Sequence, residues 1–337
     1  MSLTVDLTTE DVNDNEIRFI PRNQERLPGN TAPMLFIRLA RSIEWNRCCS
    51  SELVLRSTRD SPDAGERIGI ADAVCGRMAV SRRLSMIYTR SGADALSRRD
   101  IVVSPGTGNQ HWGTVFFGPR SSSAAGEGPQ ATMSELQPHE AVVPHFHGVT
   151  MFQLFIAGSG TLGNKQQPLE PLTVQFKDHH TAYGPIVAGP QGLSFVAMRM
   201  YTGNSEPVYL NKEGYRDRLK PSKRRHLTSE RVRFSIEPVL KERAEPVWET
   251  LLKDDSDGMH AQIVRLGAGQ SVEGPNPGAA AGYYVFVGNG TLVHNDEELP
   301  LWSMVVVEPN EEKFTIRSGE KGLEALVLQY PREERND

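Results

Sequence analysis

Lysine is missing from the first 164 residues of this 337-residue chain; the first is Lys165, and every basic residue before it is arginine. Cysteine is scarce too. Cys48, Cys49 and Cys75 are the only three, an odd number with no Cys-x-x-Cys spacing, so no disulfide framework is expected and a reduced, cytoplasmic protein is. No apolar run reaches about 18 residues, which excludes a membrane-spanning helix. The opening Met1 to Glu10 is acidic and polar, unlike a charged-then-apolar leader, so no secretory signal is expected. Basic residues are not in excess: 37 Lys and Arg face 42 Asp and Glu, for a net charge of −5. That balance argues against a general nucleic-acid or anionic-membrane partner. There is no Walker loop, no Gly-x-Gly-x-x-Gly opening a helix and no Gly-x-Ser-x-Gly elbow. What is present suffices for a core: 38% hydrophobic and 23% charged residues exclude wholesale disorder. The length suits two ordinary domains or one internal duplication.

The texture changes along the chain. Arginines crowd into Arg38 to Arg99 among many serines, with no helical or alternating pattern apart from Pro33 to Ala40. Asp60, Asp63, Glu66 and Asp72 break up this basic stretch and aromatics do not interleave it, so residues 1–100 read as an irregular Arg/Ser-rich extension. From Ile101, short apolar runs alternate with Gly, Pro and Asn, as in an all-β domain. Expected strands are Thr114 to Phe117, Ala131 to Leu136, Met151 to Ala157, Leu172 to Phe176 and Leu193 to Tyr201, with a turn at Gly189 to Gly192. This domain spans residues 101–205. A charged bridge, 206–256, carries the basic run Lys220 to His226 and reads as a solvated linker with short helices around Pro238–Arg243 and Pro246–Lys253.

β texture returns over residues 257–332, and it returns as a repeat. Ala131 to Leu136 resembles Ala261 to Leu266, and Phe152 to Leu162 resembles Gly282 to Leu292, with Gly-x-Gly-Thr-Leu recurring at an offset of 130 residues. Two copies of one β-domain are expected, each burying an apolar inner face.

Chemistry concentrates in the first copy. Pro144-His145-Phe146-His147-Gly148 precedes Met151-Phe152-Gln153, and Asp178-His179-His180-Thr-Ala-Tyr183-Gly-Pro185 follows later. On a strand, residues two apart share a face, so His145 and His147 can present both imidazoles to one point. A further histidine completes a facial triad with open coordination positions, suited to Fe, Ni, Cu or Zn and not to Ca²⁺. His111, His139, His226, His260 and His294 read as ordinary surface or loop histidines.

The His-x-His before a Gly-x-Gly hairpin resembles the first motif of the cupin superfamily, and the duplicated layout from Ile101 to Tyr330 resembles a bicupin. The resemblance implies an all-β fold of two double-stranded β-helix (jelly-roll) barrels in tandem. It implies one divalent transition metal per chain, held by His145, His147 and His180, with Fe²⁺ preferred over Zn²⁺, Ni²⁺ or Mn²⁺. His179 is the alternative third ligand. The family's glutamate is absent: Met151 and Phe152 stand in its place, and Gln153 is either a ligand or a hydrogen-bonding residue of the barrel lining. Pro275 and Pro277 match the paired histidines in the second copy, which therefore lacks a ligand set. Three neutral imidazoles leave a dication its full charge and favour an anionic, chelating small molecule. Tyr183, Arg199 and Met151 are candidates for contacting it. The family offers a three-histidine iron dioxygenase as the first expectation. A Lewis-acid isomerase, cyclase or decarboxylase, or a ligand-binding cupin without turnover, are the alternatives. Homodimers are the family's habit.

Overall fold

The computed structural model describes residues 7–9, 19–21, 87–104, 106–119, 128–201, 203 and 205–332. Most of the arginine-rich extension and all three cysteines lie outside them. The chain forms two compact units, Met1–Ser81 and Arg82–Asp337. In the first, β1 (Leu7–Thr9) and β2 (Phe19–Pro21) pair antiparallel.

Alternating side chains build the second unit. After β3 (Ile87–Arg90), α1 (Gly92–Ser97) and β4 (Asp100–Val103) come the strands of a first barrel: β5 (Gln110–Phe117), β6 (Gln130–Leu136), β7 (Ala141–Val142), β8 (His145–Phe146), β9 (Met151–Leu162), β10 (Gln167–Leu169), β11 (Thr173–Lys177) and β12 (Ile186–Arg199). A connection holds β13 (Val208–Tyr209), a 3₁₀ turn at Tyr215–Arg218, β14 (His226–Thr228) and α2 (Glu237–Lys241). The second barrel comprises β15 (Val247–Asp254), β16 (Met259–Leu266), β17 (Ser271–Glu273), β18 (Tyr283–His294), β19 (Glu297–Leu299), β20 (Met304–Val307) and β21 (Thr315–Gln329). The sheet orders correspond: β14-β11-β9-β12-β6-β5-β4 in one, β3-β20-β18-β21-β16-β15 in the other, with short strands attached at matching places. These are two tandem jelly-roll barrels, as expected from the repeat. No helix among the described residues is long and apolar enough to cross a membrane.

One face of each repeat packs against the other repeat. Phe152, Leu154, Val174, Phe176, Val196 and Met198 of the first barrel form one buried cluster with Tyr284, Phe286, Met304, Val306, Leu326 and Leu328 of the second. Burying a side chain of this size contributes about 1.5–3 kcal/mol. The Tyr284 hydroxyl donates across the interface to the Arg199 carbonyl at 2.9 Å. The residues between these point inward. In the second barrel they form a buried apolar cluster that includes Tyr283, Val285, Val305, Val307 and Val327.

Several expectations change. Residues before 101 are not all extension: β3 adds to the second barrel beside β20, with Met304 opposite Arg90. The linker contributes β14 to the first barrel, pairing His226 with Lys177. Its first short helix forms as α2, but Val247–Asp254 is a strand paired with β16, because Val, Trp and Thr favour a half-buried pleated edge. Gly189 to Gly192 makes no chain reversal; β12 runs through it with a register shift.

The repeat also slips by two residues between β9 and β18. Gln153 pairs with Gln175 and Ala197, and the residue in the same setting is Val285, paired with Val305 and Val327. A longer loop before β18 and a shorter β18–β19 hairpin cancel, which conceals the slip in the sequence. Gly158 (φ +76°) therefore corresponds to Gly290 (φ +70°), and a Cβ on Gly290 would stand 2.0 Å from the Gly322 carbonyl. Counting back by the corrected register places Pro277 and Ala279 opposite His145 and His147, still without an imidazole.

Phe286→Ala is expected to cost about 3–5 kcal/mol, with both barrels unfolding in one transition because they share this cluster. Urea denaturation followed by fluorescence and circular dichroism checks it; two separated transitions would mean that the barrels fold independently.

Candidate functional site

The site grows from β8, a strand of two residues held on both sides. Tyr209 and Val208 of β13 pair with His145 and Phe146, and Tyr183 exchanges backbone hydrogen bonds with His145 at 3.0 Å. Alternation then puts the imidazoles of His145 and His147 together, their ring centroids 5.0 Å apart. Both rings are anchored. His145 Nδ1 donates to the Val143 carbonyl at 2.8 Å and His147 Nδ1 to the Ser205 carbonyl at 2.6 Å. That fixes the tautomer and leaves each Nε2 as a lone-pair acceptor.

On β11, Val174 and Phe176 face the other barrel, so Thr173, Gln175 and Lys177 face inward. Lys177 is 1% exposed, among the largest fully buried side chains. Its Nζ donates to Gln153 Oε1 at 2.5 Å and to Gln175 Oε1 at 2.8 Å, and lies 4.5 Å from the centre of the Tyr183 ring. His145 packs against that ring at 4.5 Å. Arg199, at the end of β12 and 6% exposed, donates through Nη1 to Gln130 Oε1 at 2.9 Å. Its Nη2 donates to His147 Nε2 at 3.2 Å and approaches Met151 Sδ at 3.4 Å. The Arg199 Nε is buried without a hydrogen-bond partner.

Neither basic group meets a carboxylate among the described residues: besides burial, Lys177 feels the charge of Arg199, and Arg199 feels Tyr183, Tyr330 and Tyr284. The consequences follow from Coulomb's law in a dry interior. Burial, with Arg199 adding to it, pushes the Lys177 amine well below its usual range. Burial first, then the two cations, lowers His145 to about 4 and His147 well below 6.5. The Tyr183 phenol is raised by burial and stays protonated.

Among the residues picked out from the sequence, His145, His147, Met151, Gln153, Tyr183 and Arg199 come together. His179 and His180 do not join them. His180 stacks on Phe146, centroids 5.7 Å apart, and its Nδ1 bonds to His179 Nδ1 at 2.7 Å. It lines an outer cleft on the side of β8 opposite His145 and His147. The cause lies in the backbone. The His180 N–H donates to the His147 carbonyl at 2.6 Å while φ of +56° turns the side chain away. Gln153 serves the Lys177 ammonium, which is the lining role of its two readings.

His226, read as an ordinary surface or loop residue, sits beside Lys177 with its ring 6.1 Å from Tyr183 and its Nε2 buried without a partner. His111 is also buried, bonded through Nδ1 to Glu140 at 3.0 Å. Lys177, Gln175 and Gln130 escaped the sequence reading. The signal for the first two was there: polar residues at every second place of a strand whose alternate places are Val174 and Phe176.

The metal implied by the resemblance fits in part. Two imidazoles anchored through Nδ1, with Nε2 lone pairs directed inward, are what a borderline dication requires. The third donor does not arrive: no three His, Cys, Asp or Glu among the described residues are placed to hold an ion. Arg199 occupies the lone pair of His147, and the charges already inside are positive.

No family model and no curated protein matches the sequence. Solved structures resemble the chain distantly. A bacterial pirin of Escherichia coli in complex with nickel(II) shares 11% identity, 74% of this chain and 100% of its own, at a TM-score of 0.45. The Bacillus subtilis oxalate decarboxylase, a protein with Mn(II) centres, shares 10% identity over 74% and 78% at 0.44. The 11S globulin of Wrightia tinctoria, solved with an auxin binding site, shares 12% over 73% and 84% at 0.44. None of these says what the first barrel of this chain binds.

Burial and Lys177 lower His226 to about 4. A folded-state value below the unfolded 6.5 stabilises the fold above about pH 6.5, and that contribution is lost as pH falls towards 4. His226→Gln should therefore flatten the decline in unfolding free energy over this window by about 1–2 kcal/mol after allowance for solvent screening. Urea titrations at a series of pH values read the slope; identical slopes for both proteins would contradict it.

Proposed function

We propose that the first barrel binds a small, enolisable carboxylate or dicarbonyl compound and stabilises its anionic form. One observation carries this reading: Lys177 and Arg199 are buried together, with amides, imidazoles and a phenol around them and no acid among the described residues against either. A buried charge is costly unless paired, and an anionic ligand is the partner that completes this set. Arg199 offers a planar fork for a carboxylate, and Lys177 a compact charge for an enolate oxygen. The protonated Tyr183 phenol donates without competing for charge. His145 keeps a neutral ring with Nε2 free to accept a proton from carbon. The chemistry supported is enolate formation, as in isomerisation or decarboxylation, with charge stabilised by groups already in place.

A divalent-metal enzyme is the second reading, favoured by the inward Nε2 atoms of the two anchored imidazoles. His145 and His147 would hold the ion, and Arg199 would leave His147 to pair with substrate. Bound there, a divalent ion supplies Lewis acidity, or oxygen chemistry if it is iron, and the three-histidine iron dioxygenase is the specific form of this reading. Its third imidazole is the part without support.

Calorimetry with pyruvate and malonate, against their neutral methyl esters, tests the first reading. Carboxylates should bind at one per chain after dialysis against EDTA, at least about tenfold more weakly in Arg199→Gln and Lys177→Met. Equal binding of the esters, or undiminished binding by both variants, would overturn it. Elemental analysis of anaerobically purified protein, with His147→Ala alongside, tests the second: unit stoichiometry lost in the variant moves the assignment to the metal.

A further inference from the structure

Outside the barrel, on the far side of β8, lies a cleft of about 220 Å³ lined by Phe146, Gly148, His180, Val208, Arg218 and Lys220. Its floor is apolar: Phe146 of β8, 1% exposed, pairs through its backbone with Val208 of β13. Its rim is cationic, with Arg218 at the end of the 3₁₀ turn and Lys220 just beyond, and no lining residue is acidic. His180 closes one wall and is itself 8% exposed.

The wall is held by unusual backbone. His180 and Arg224 are both non-glycine residues in the left-handed region, at φ +56° and +58°. They are clasped to each other: Arg224 Nη1 donates to the His180 carbonyl at 2.9 Å, and its Nη2 to the Lys220 carbonyl at 3.3 Å. The Arg224 N–H is taken by Ser222 Oγ at 3.2 Å. A left-handed conformation at such residues is strained and persists where surrounding contacts enforce it, as at ligand clamps. Lys220 and the His179-His180 pair, none of which serves the barrel interior, meet at this place.

We infer that this cleft is a second binding site, separate from the interior, for a small organic anion with an apolar body. The body lies on Phe146 and Val208. The phosphate or carboxylate head is taken by Arg218 and Lys220, with the His180 ring beside it. The cleft is smaller than the roughly 300–1,000 Å³ of drug-sized sites, which limits the occupant to a compact metabolite. The inference does not depend on the reading of the interior, since it uses none of the same side chains.

Phenyl phosphate, benzoate and inorganic phosphate serve as probes in calorimetry at constant ionic strength, because exposed charge pairs are screened by salt. One aryl anion per chain should bind outside the barrel, with inorganic phosphate at least about tenfold weaker for lack of the apolar body. Whether phenyl phosphate or benzoate binds more tightly decides which head group the rim takes. The double variant Arg218→Gln/Lys220→Gln alters two exposed residues, so it keeps its fold, and should lose at least about tenfold in affinity. Lys177→Met should bind the aryl anion as wild type does. Binding that survives the double variant, binding lost in Lys177→Met, or no saturation by either aryl anion up to about 10 mM would overturn the inference. Failure here with intact pyruvate binding would leave the interior reading standing.

Discussion

Two basic groups, Lys177 and Arg199, sealed inside a β-barrel with no carboxylate against them among the described residues, are the constraint around which the first domain is arranged. A buried ammonium or guanidinium needs its donors satisfied, and the interior answers most of them with side-chain amides and an imidazole: Gln153 and Gln175 for Lys177, Gln130 and His147 for Arg199, whose Nε is left without a partner. These neutral partners stabilise the charges without cancelling them. Burial first, and then the positive potential that remains, keeps the histidines unprotonated, so their Nε2 atoms stay acceptors instead of adding two more charges. Held that way, the interior is matched to an anion, and the same field raises the cost of placing a dication at His145 and His147.

The second barrel shows that none of this is required by the fold. Its strands pair in the same order, and its inward positions in the register of Gln153, Gln175 and Lys177 are Val285, Val305 and Val307. That interior is a packed apolar core, and its outer face supplies half of the inter-barrel cluster. One repeat thus gives up hydrophobic stabilisation inside and regains it against its neighbour. Tyr284 and Tyr330 tie the two directly, bonding to the Arg199 and Met198 carbonyls beside the buried guanidinium. Position of the cation and packing of the second barrel are therefore linked.

Much of the architecture was legible in the sequence because it rests on local rules. Short apolar runs such as Met151 to Ala157 and the recurrence of Gly-x-Gly-Thr-Leu announce two β-domains, and His145-Phe-His147 announces a shared inward face. What escaped depends on distant pairing. Nothing local to Ile87–Arg90 says that it completes the second barrel, nor to His226 that it lies against Lys177. The apparent 130-residue period concealed compensating changes in two loops. His180 misled because spacing cannot reveal a left-handed φ. Lys177 was overlooked because a lysine is by default a surface residue; only its place between Gln175 and the inward side of β9 says otherwise.

Anomalous diffraction from bromide-soaked crystals, recorded above both the bromine and the transition-metal edges, tests the central claim most directly. Bromide ordered between Lys177 and Arg199 in the first barrel, and none inside the second, is the predicted result. A transition-metal peak at the Nε2 atoms of His145 and His147, with no halide in the interior, would contradict it.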